Sequence, residues 1–356
     1  MKLGLQLGYW GADPPAGAAD VVTAADEAGF DAVFAAESWG SDALTPLAWW
    51  GARTSSVRLG TSVAQLSARP PTACAMQALT LDHLSGGRFV LGLGVSGPQV
   101  VEGWYGQPFA KPLARTREYV SVVRQVLSRQ APVTNAGPHY PLPYTGPGAT
   151  GLGKPLRSIT HPLRADLPIW LGAEGPKNVA LAAEIADGWL AVFHPIRLAG
   201  LFEDWLAEGF ARAGARRQRT DFEVVTNCQI IVTDDPAPAR SLLKPSLAHY
   251  IARMGAPDMN FHADLFRRLG YGEEVARIVA AAADGRWADA VEAVPDELVD
   301  ETAIIGDADR VRAEVARREA AGISMLLVHC RDVAQVQTLA ATLALDAADP
   351  PLVPKL

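Results

Sequence analysis

Residues 81–99, LDHLSGGRFVLGLGVSGPQ, combine the end of a helix, a buried strand and a glycine-rich turn. Gly86 and Gly87 predict the helix end, because glycine readily adopts the left-handed conformation that closes many helices. The apolar run 89–93 is too short for a helix and therefore predicts a buried strand. Glycines at 92, 94 and 97 leave backbone amides open to a planar or anionic ligand. The same pattern also fits a tight structural turn, so this stretch alone leaves both interpretations open.

Similar apolar runs alternate with helical patterns along the rest of the chain. The eight predicted strands are 3–9, 31–36, 57–63, 89–93, 168–172, 188–193, 222–232 and 324–329. Strands that alternate with helices indicate an α/β protein with a parallel sheet. Eight such units in sequence predict a closed (β/α)8 barrel, the TIM barrel. The length of 356 residues fits one barrel of this kind with insertions.

Two connections are longer than a plain barrel needs. Residues 132–168 are rich in proline and glycine, which predicts an irregular excursion or short hairpin that forms a lid over the barrel mouth. Residues 234–302 contain helical patterns at 237–254 and 275–283, so we expect an added helical layer there. The chain is therefore expected to form a single domain over 1–356 with two insertions.

The composition argues against several classes of partner. A net charge of −7 disfavours binding to nucleic acid and to an anionic membrane surface, since both need a basic face. The three cysteines lack the spacing of a disulfide framework or a zinc ribbon. No apolar segment has the length of a membrane span, and the first residues lack a secretory signal pattern. We expect a cytoplasmic protein that binds a small molecule.

Functional residues of TIM barrels come from the carboxyl ends of the strands. Aromatic residues lie at or near several predicted ends: Trp10, Trp39, Trp104 and Phe193. Such rings suit a flat conjugated ligand. The turn at 172–175 runs directly into a helix start at Pro176, where free amides and Lys177 predict an anion site. An ordinary strand-to-helix turn is the alternative at that position.

No metal site is predicted. The seven histidines show no ligand spacing, and His161, His262 and His329 are expected to be surface residues or satisfied core residues. The sequence also contains neither a Gly-x-Ser-x-Gly elbow nor a Walker-type loop, the usual motifs of acyl transfer and nucleotide hydrolysis. A metal-dependent hydrolase is therefore disfavoured.

Several short motifs together resemble one known family. They are Leu7-Gly8-Tyr9, Thr61-Ser62-Val63, Gly86-Gly87-Arg88 with Gly92-Leu93-Gly94, Gly172-Ala173-Glu174-Gly175-Pro176 and Ala186-Asp187-Gly188-Trp189. Along nearly the whole chain they resemble the bacterial luciferase-like superfamily. Within it, the chain is most similar to actinobacterial oxidoreductases that use the deazaflavin coenzyme F-420 (F420).

The resemblance implies where the coenzyme binds. A non-prolyl cis peptide is expected at Ser62-Val63, as a bulge behind the deazaflavin ring. Glu37 and Ser38 occupy the positions that in the sugar-phosphate dehydrogenases of the family hold Asp and His near that ring. The residues implied to line the coenzyme are Ser38, Ser62, Val63, Gly94, Ser96, Gly97 and Gln99, and those implied to receive its phosphate through backbone amides are Gly172, Ala173, Glu174 and Gly175.

The sequence departs from the sugar-phosphate dehydrogenases of this family. Ser38 stands where they have a catalytic histidine, and Gly97 stands roughly where they have a catalytic glutamate. Residues 193–195, Phe-His-Pro, replace the region of their phosphate-binding lysine. Oxidation of a sugar phosphate is therefore not expected, and Glu37 and His194 are the candidates for a catalytic acid or base.

The resemblance predicts a deazaflavin-dependent oxidoreductase that transfers hydride to or from a small, fairly apolar organic substrate. One alternative is an FMN-dependent luciferase-like monooxygenase supplied by a separate reductase, and a second is a non-catalytic barrel that only binds a flavin. The longer tail of the deazaflavin favours basic groups at the rim, for which Lys177, Arg115 and Arg197 are candidates. Members of the family commonly dimerise, so a homodimer is expected.

Overall fold

The computed structural model describes residues 1–255 and 260–345, which form a closed barrel with surrounding helices. The strands are β1 (Lys2–Gln6), β2 (Ala32–Ala35), β3 (Arg58–Thr61), β4 (Ala64–Gln65), β5 (Phe89–Gly94), β6 (Ile169–Gly172), β7 (Gly188–Ala191), β8 (Glu223–Asn227), β9 (Gln229–Val232), β10 (Ala303–Gly306) and β11 (Met325–Val328). All but β9 and β10 belong to the barrel wall.

Neighbouring strands of the wall run parallel in the order β3-β2-β1-β11-β8-β7-β6-β5-β4. A further pairing of β3 with β5 closes the cylinder. β3 and β4 are two halves of one wall position, interrupted at residues 62 and 63. The predicted (β/α)8 TIM barrel is therefore confirmed, and each of the eight predicted runs overlaps a barrel strand.

The run 222–232 does not form the single strand that the sequence predicted. β8 stays in the barrel, where Val225 pairs with Met325 of β11. The chain leaves the wall after Cys228, whose N–H donates to the Leu327 carbonyl at 2.9 Å. β9 then pairs in parallel with β10 in a separate two-stranded sheet. The sequence did not predict β10, because its short apolar run directly follows a helical segment.

Helices lie in the connections between these strands, and one more follows the last strand. They are α1 (Ala18–Glu27), α2 (Leu44–Gly51), α3 (Pro71–Leu84), α4 (Pro98–Gly103), α5 (Pro112–Ser128), α6 (Pro176–Ile185), α7 (Ala199–Phe210), α8 (Pro236–Ala252), α9 (Phe261–Arg268), α10 (Gly272–Ala283), α11 (Trp287–Glu292), α12 (Asp296–Thr302), α13 (Ala308–Ala320) and α14 (Val333–Leu343). The described part of the segment between β9 and β10 thus contains α8 to α12. Between α5 and β6, isolated antiparallel bridges join Val133 to Leu156 and Asn135 to Leu142. The single-domain organisation over 1–356 stays a prediction.

The barrel interior is filled by its own set of side chains, separate from the core beneath the helices. This set comprises Ala32, Phe34, Val90, Trp170, Leu190, Val225, Met325 and Leu327. Glycines face the largest members: a Cβ at Gly188 would lie 2.7 Å from Cδ1 of Trp170, and one at Gly60 would overlap the ring of Phe34. Phe34 and Trp170 stack with ring centroids 5.6 Å apart. Large and missing side chains therefore complement each other inside the barrel.

Charged residues close the amino-terminal end of the barrel. Glu223 Oε1 accepts hydrogen bonds from Lys2 Nζ at 2.7 Å and from Arg58 Nη1 at 3.2 Å. The Arg58 guanidinium also lies 5.4 Å from the ring centroid of Trp170. The opposite end, where the strands reach their carboxyl termini, is the mouth at which ligands bind in this architecture.

Candidate functional site

The candidate site is built around a break in the barrel wall. β3 ends at Thr61, and the peptide bond between Ser62 and Val63 is cis. The expected non-prolyl cis peptide is therefore confirmed. Ser62 N–H donates to the Ala35 carbonyl at 2.8 Å, and Glu37 N–H donates to the Val63 carbonyl at 3.3 Å. These hydrogen bonds attach the bulge to the end of β2.

Glycines on β5 and β6 make room for this bulge. A Cβ at Gly92 would overlap the carbonyl oxygen of Thr61, and one at Gly94 would overlap Cγ2 of Val63. A Cβ at Gly172 would lie 3.0 Å from Cγ1 of Val63. The missing side chains of Gly92 and Gly94 thus accommodate the protein itself, and contact of their backbone with a ligand stays a prediction. Val63 is half-buried, so part of its side chain forms a ridge at the mouth.

The loop after β5 carries several predicted coenzyme residues. Ser96 has a φ of +59°, in the left-handed region that serine rarely adopts. Gly97 precedes the short helix α4, and Gln99 within that helix is exposed. Ser96, Gly97 and, at the end of β2, Ser38 are half-buried. The structure brings these positions to the mouth side of the barrel, and their contact with a coenzyme stays a prediction.

The turn after β6 offers N–H groups at a helix start. Ala173 is held by Trp189, whose Nε1 donates to the Ala173 carbonyl at 2.8 Å. Gly175 has a φ of +75° and immediately precedes α6, whose first residue is Pro176. The backbone N–H groups of Lys177 and Asn178 donate to no acceptor among the described residues. Free N–H groups at a helix start attract negative charge, and the binding of an anion at this turn stays a prediction.

Glu174 occupies the middle of that turn. Its Oε1 accepts a hydrogen bond at 3.1 Å from the N–H of Val192, the residue that follows β7. Burial raises the pKa of Glu174 to about 7. Burial raises the pKa of Tyr250, and the negative charges that the nearby Tyr9 and Glu174 can carry raise it further. A carboxyl group that titrates near neutral pH therefore stands at the mouth.

Glu37, a candidate acid or base, is held in a buried ion pair. Both of its carboxylate oxygens accept hydrogen bonds from the guanidinium of Arg69, and Oε2 also accepts the N–H of Gln65 at 2.6 Å. Its side chain is 2% exposed. The carboxylate thereby connects Gln65, the second residue after the bulge, to Arg69. This geometry favours a role in positioning the bulge over a role in proton transfer.

His194, the second candidate, lies away from the mouth. Its ring packs against Phe202 and Trp189, with centroid distances of 4.5 and 5.6 Å, between the barrel wall and α7. Burial lowers the pKa of His194 to about 4, so the ring is neutral at pH 7. The structure therefore does not bring Glu37 and His194 together, and it favours a packing role for His194.

Two polar residues at the mouth were missed by the sequence reasoning, which followed strand ends only as far as the sixth strand. Asn227 closes β8, and His329 directly follows β11. Strand alternation was the signal that could have found them, because Val225 and Leu327 on the same faces are interior residues. The expectation that His329 is a surface or satisfied core residue stays a prediction; its imidazole lies at the mouth beside Gly8.

Of the aromatic side chains near the mouth, some are exposed to solvent and others pack within the protein. Tyr9, Trp39, Trp104 and Phe261 are each at least half exposed. Two predicted ligand-stacking residues are instead packed within the protein. Trp10 lies against Trp50 at 5.9 Å, and Phe193 contacts Phe266 at 5.2 Å. The exposed group is the one available to a ligand.

The predicted basic rim is only partly free. Arg197 pairs with Glu301 at 2.7 Å, and the Arg115 guanidinium lies 5.9 Å from the ring centroid of Tyr140. Lys177 is exposed at the first turn of α6. Within residues 1–255 and 260–345, no cluster of histidine, cysteine or acidic residues could hold a metal ion. The helices of the same ranges are all too short or too polar to cross a membrane.

Comparison with known families decides the identity of this barrel. The model of the luciferase-like monooxygenase family matches residues 4–325. The chain belongs to the luciferase-like family. The resemblance inferred from its motifs is thereby confirmed.

Relatives of this luciferase-like chain include named F420 proteins. A Mycobacterium tuberculosis protein named "putative coenzyme F420-dependent oxidoreductase" is 64% identical over 341 residues, which cover 96% of this chain and 98% of that protein. A 5,10-methylenetetrahydromethanopterin reductase of Archaeoglobus fulgidus is 29% identical over 77% of each chain. Among solved structures, the coenzyme F420-dependent tetrahydromethanopterin reductase of Methanopyrus kandleri superposes with a TM-score of 0.78, at 22% identity over 96% of this chain and 98% of that one. This structural likeness confirms the fold.

The luciferase-like barrel has the features that a flavin-like coenzyme requires. A flat ring needs an apolar surface, and the half-buried Val63 supplies one at the mouth. A phosphate needs donors, and the free N–H groups of Lys177 and Asn178 supply them at the start of α6. The residues present therefore fit such a group.

Proposed function

We propose that this luciferase-like protein is an F420-dependent oxidoreductase that transfers hydride to or from a small, fairly apolar organic substrate. The observation that carries the proposal is the half-buried Val63 side chain at the break between β3 and β4, for which Gly94 and Gly172 leave room at the mouth. A ridge of this kind supports one face of a flat ring. The 64% identical relative named for coenzyme F420 supports a deazaflavin over FMN.

Residues of the mouth would hold the coenzyme in two places. The ring would rest on Ser62 and Val63, with Ser38, Gly94, Ser96, Gly97 and Gln99 around it, and the phosphate would bind at Gly172, Ala173, Glu174 and Gly175. The exposed aromatic residues at the mouth favour an apolar substrate and help to exclude water. When bound, F420 supplies a ring carbon that donates or accepts hydride and reacts poorly with oxygen.

The chain itself contributes position and electrostatics. Glu37 acts as a positioning residue, since it fixes Gln65 and Arg69 beside the bulge. Glu174 places a titratable carboxyl beside the phosphate turn. We propose no proton transfer by Glu37 or His194, because the first is fully engaged and the second is packed under α7.

A titration with F420 and FMN tests the proposal. We expect the purified protein to quench F420 fluorescence on binding and to bind F420 at least about tenfold more tightly than FMN, a difference of about 1.4 kcal/mol. Val63→Ala should weaken F420 binding, whereas Val279→Ala, at an exposed position of α10, should not. Tight FMN binding without F420 binding would replace the proposal with an FMN-dependent monooxygenase. F420 binding without turnover of any ketone, enone or imine would indicate a non-catalytic barrel.

We also propose that the protein forms a homodimer, as expected from its family. Light scattering on the purified protein should give twice the mass of one chain. A mass equal to that of one chain would overturn this proposal. The cytoplasmic location stays a prediction.

A further inference from the structure

Polar side chains end three adjacent strands of the barrel and have no role in the proposed coenzyme site. Gln6 closes β1, His329 follows β11, and Asn227 closes β8. In the wall β11 lies between β1 and β8. The three residues therefore share one sector of the mouth.

Strand alternation directs these side chains to the inside of the barrel. Leu327 is an interior residue, and Asn227 is its partner in the register between β8 and β11. His329 lies two positions beyond Leu327 and thus on the same face. A Cβ at Gly8 would lie 3.2 Å from Cε1 of His329, so the imidazole sits beside the end of β1. There Gln6 Oε1 accepts the N–H of Gly8 at 3.4 Å.

The hydrogen-bonding capacity of this sector is not used up by the protein. Asn227 Oδ1 is buried and accepts no hydrogen bond from any residue that the structure describes. Burial lowers the pKa of His329 to about 4, so at pH 7 its neutral ring carries one N–H donor and one acceptor. A buried acceptor without a partner destabilises a protein unless a ligand or water supplies a donor. The sector therefore has the character of a small polar binding site.

This sector faces the Ser62-Val63 bulge across the mouth. The bulge lies between β3 and β5. From β3 the wall runs through β2 and β1 to β11, and from β5 it runs through β6 and β7 to β8. The two paths contain equal numbers of strands, so the ends of β11 and β8 lie opposite the bulge. A ring that rests on Val63 presents its other face to Asn227 and His329.

We propose that Asn227 and His329 bind the oxygen of the substrate, and that this oxygen belongs to an uncharged carbonyl or hydroxyl group. A hydroxyl can donate to Asn227 Oδ1 and accept the N–H of His329, and a carbonyl can accept N–H groups from both side chains. A carboxamide and a neutral imidazole offer no net charge to a phosphate or carboxylate. The exposed Tyr9 and Trp39 suit an aromatic or alicyclic remainder. This assignment rests on the proposed oxidoreductase function.

Two probes of equal shape test the subsite. Acetophenone and α-methylstyrene differ only in carrying C=O or C=CH2, and each is titrated into the whole protein with and without saturating F420. The binding constants come from ligand-observed NMR, and 15N NMR of the histidine side chains reports the imidazole of His329. We expect acetophenone to bind about fivefold more tightly, the effect of about one hydrogen bond, and to shift the 15N resonances of His329.

Variants assign that preference to the two residues. Asn227→Leu and His329→Phe should each bring the ratio of the two binding constants close to one. His329→Gln, which keeps an N–H donor, should restore most of the preference. Gln229→Leu, a matched change on β9 outside the barrel wall, should leave the ratio unchanged.

The outcomes separate this inference from the proposed function. Equal binding of both probes to the unmodified protein, or a preference that survives Asn227→Leu and His329→Phe, would overturn the subsite. The preference for acetophenone could disappear when F420 is present, and Asn227→Leu could at the same time bind F420 more weakly. These two results together would assign the subsite to the coenzyme and overturn the substrate assignment. Absence of F420 binding with an intact preference would refute the proposed coenzyme and support the subsite.

Discussion

Glu174 links the turn after β6 to pH. Its pKa is raised to about 7, above the value of 4.5 for an unburied glutamate, because burial disfavours the charged carboxylate. Between pH 4.5 and pH 7 the carboxyl group of Glu174 is protonated in the folded chain and ionised in the unfolded chain. The contribution of this carboxyl to stability is therefore fully present below pH 4.5 and is lost as the pH rises through 7.

Glu174→Gln removes this dependence. As the pH rises from 5 to 8, we expect the unfolding free energy of the variant to increase by up to about 3 kcal/mol relative to that of the unmodified protein. Urea unfolding at both pH values measures the difference. The matched change Glu27→Gln, at an exposed position on α1, corrects for the loss of a surface carboxyl. A Glu174→Gln difference that is the same at both pH values would contradict the assignment.

In the Glu37–Arg69 pair each charge compensates the other, so that neither is buried without a counter-ion. Arg69→Leu leaves the carboxylate of Glu37, 2% exposed, without its counter-ion. We expect this variant to lose about 3–5 kcal/mol of unfolding free energy, because an unpaired buried charge is strongly destabilising. The double variant Glu37→Leu with Arg69→Leu should recover most of that loss in urea unfolding. Equal losses in the single and double variants would show that Arg69 acts through packing alone.

The sequence indicated which residues lie near strand ends but not which way they point. Glu37 and His194 follow predicted strands, yet Glu37 turns to Arg69 and His194 packs under α7. The reason is that alternation holds only while the chain remains extended, and β2 ends at Ala35 and β7 at Ala191. Asn227 and His329 lie within or directly after their strands, where alternation predicts direction correctly.

The bulge and the glycines that face it act as one unit. The added Cβ of Gly94→Ala would overlap Cγ2 of Val63. The three nearest atoms all belong to the Val63 side chain, so that side chain has to move and the backbone does not. We expect a folded protein that binds F420 about tenfold more weakly. Gly92→Ala would meet the carbonyl of Thr61, which cannot move aside, and we expect it to prevent folding.

Circular dichroism and F420 titration measure these two outcomes. Gly103→Ala, at a position of α4 with open space around it, is the control for adding a methyl group. Unchanged F420 affinity in Gly94→Ala would separate Val63 from the coenzyme. A stable Gly92→Ala protein would show that the bulge can relax.

The barrel strands could be predicted because each is a short apolar run between turn signals. The same signal failed at 222–232, where one run supplies both β8 and β9. The division at Cys228 depends on β10, a partner far away in sequence, and local periodicity carries no information about such pairing. The cis bulge was accessible only through family resemblance, since no local property of Ser62 and Val63 requires it.

Buried histidines make the whole molecule sensitive to acid. Burial lowers the pKa values of His194, His262 and His329 to about 4 from 6.5. Between pH 6.5 and 4 the unfolded chain therefore binds protons that the folded chain does not. Stability from this source is present above pH 6.5 and falls as the pH decreases towards 4.

We expect His194→Leu to flatten this decline, because leucine keeps the apolar packing on Phe202 without a titrating group. Urea unfolding at pH 7, 5.5 and 4.5 measures the slope. His161→Gln, at an exposed position, should leave the slope as it is. If His194→Leu leaves the slope unchanged, protonation of other groups causes the loss of stability in acid.

The interior of the barrel joins glycines and large side chains into pairs. Gly60 faces Phe34, Gly188 faces Trp170, and Gly4 faces Leu327, with a Cβ at Gly4 only 2.6 Å from Leu327 Cδ2. A larger residue at any of these glycines fits only if its partner becomes smaller at the same time. Substitutions inside this barrel are therefore expected to covary as small and large pairs, and any redesign of its cavity has to change two strands together.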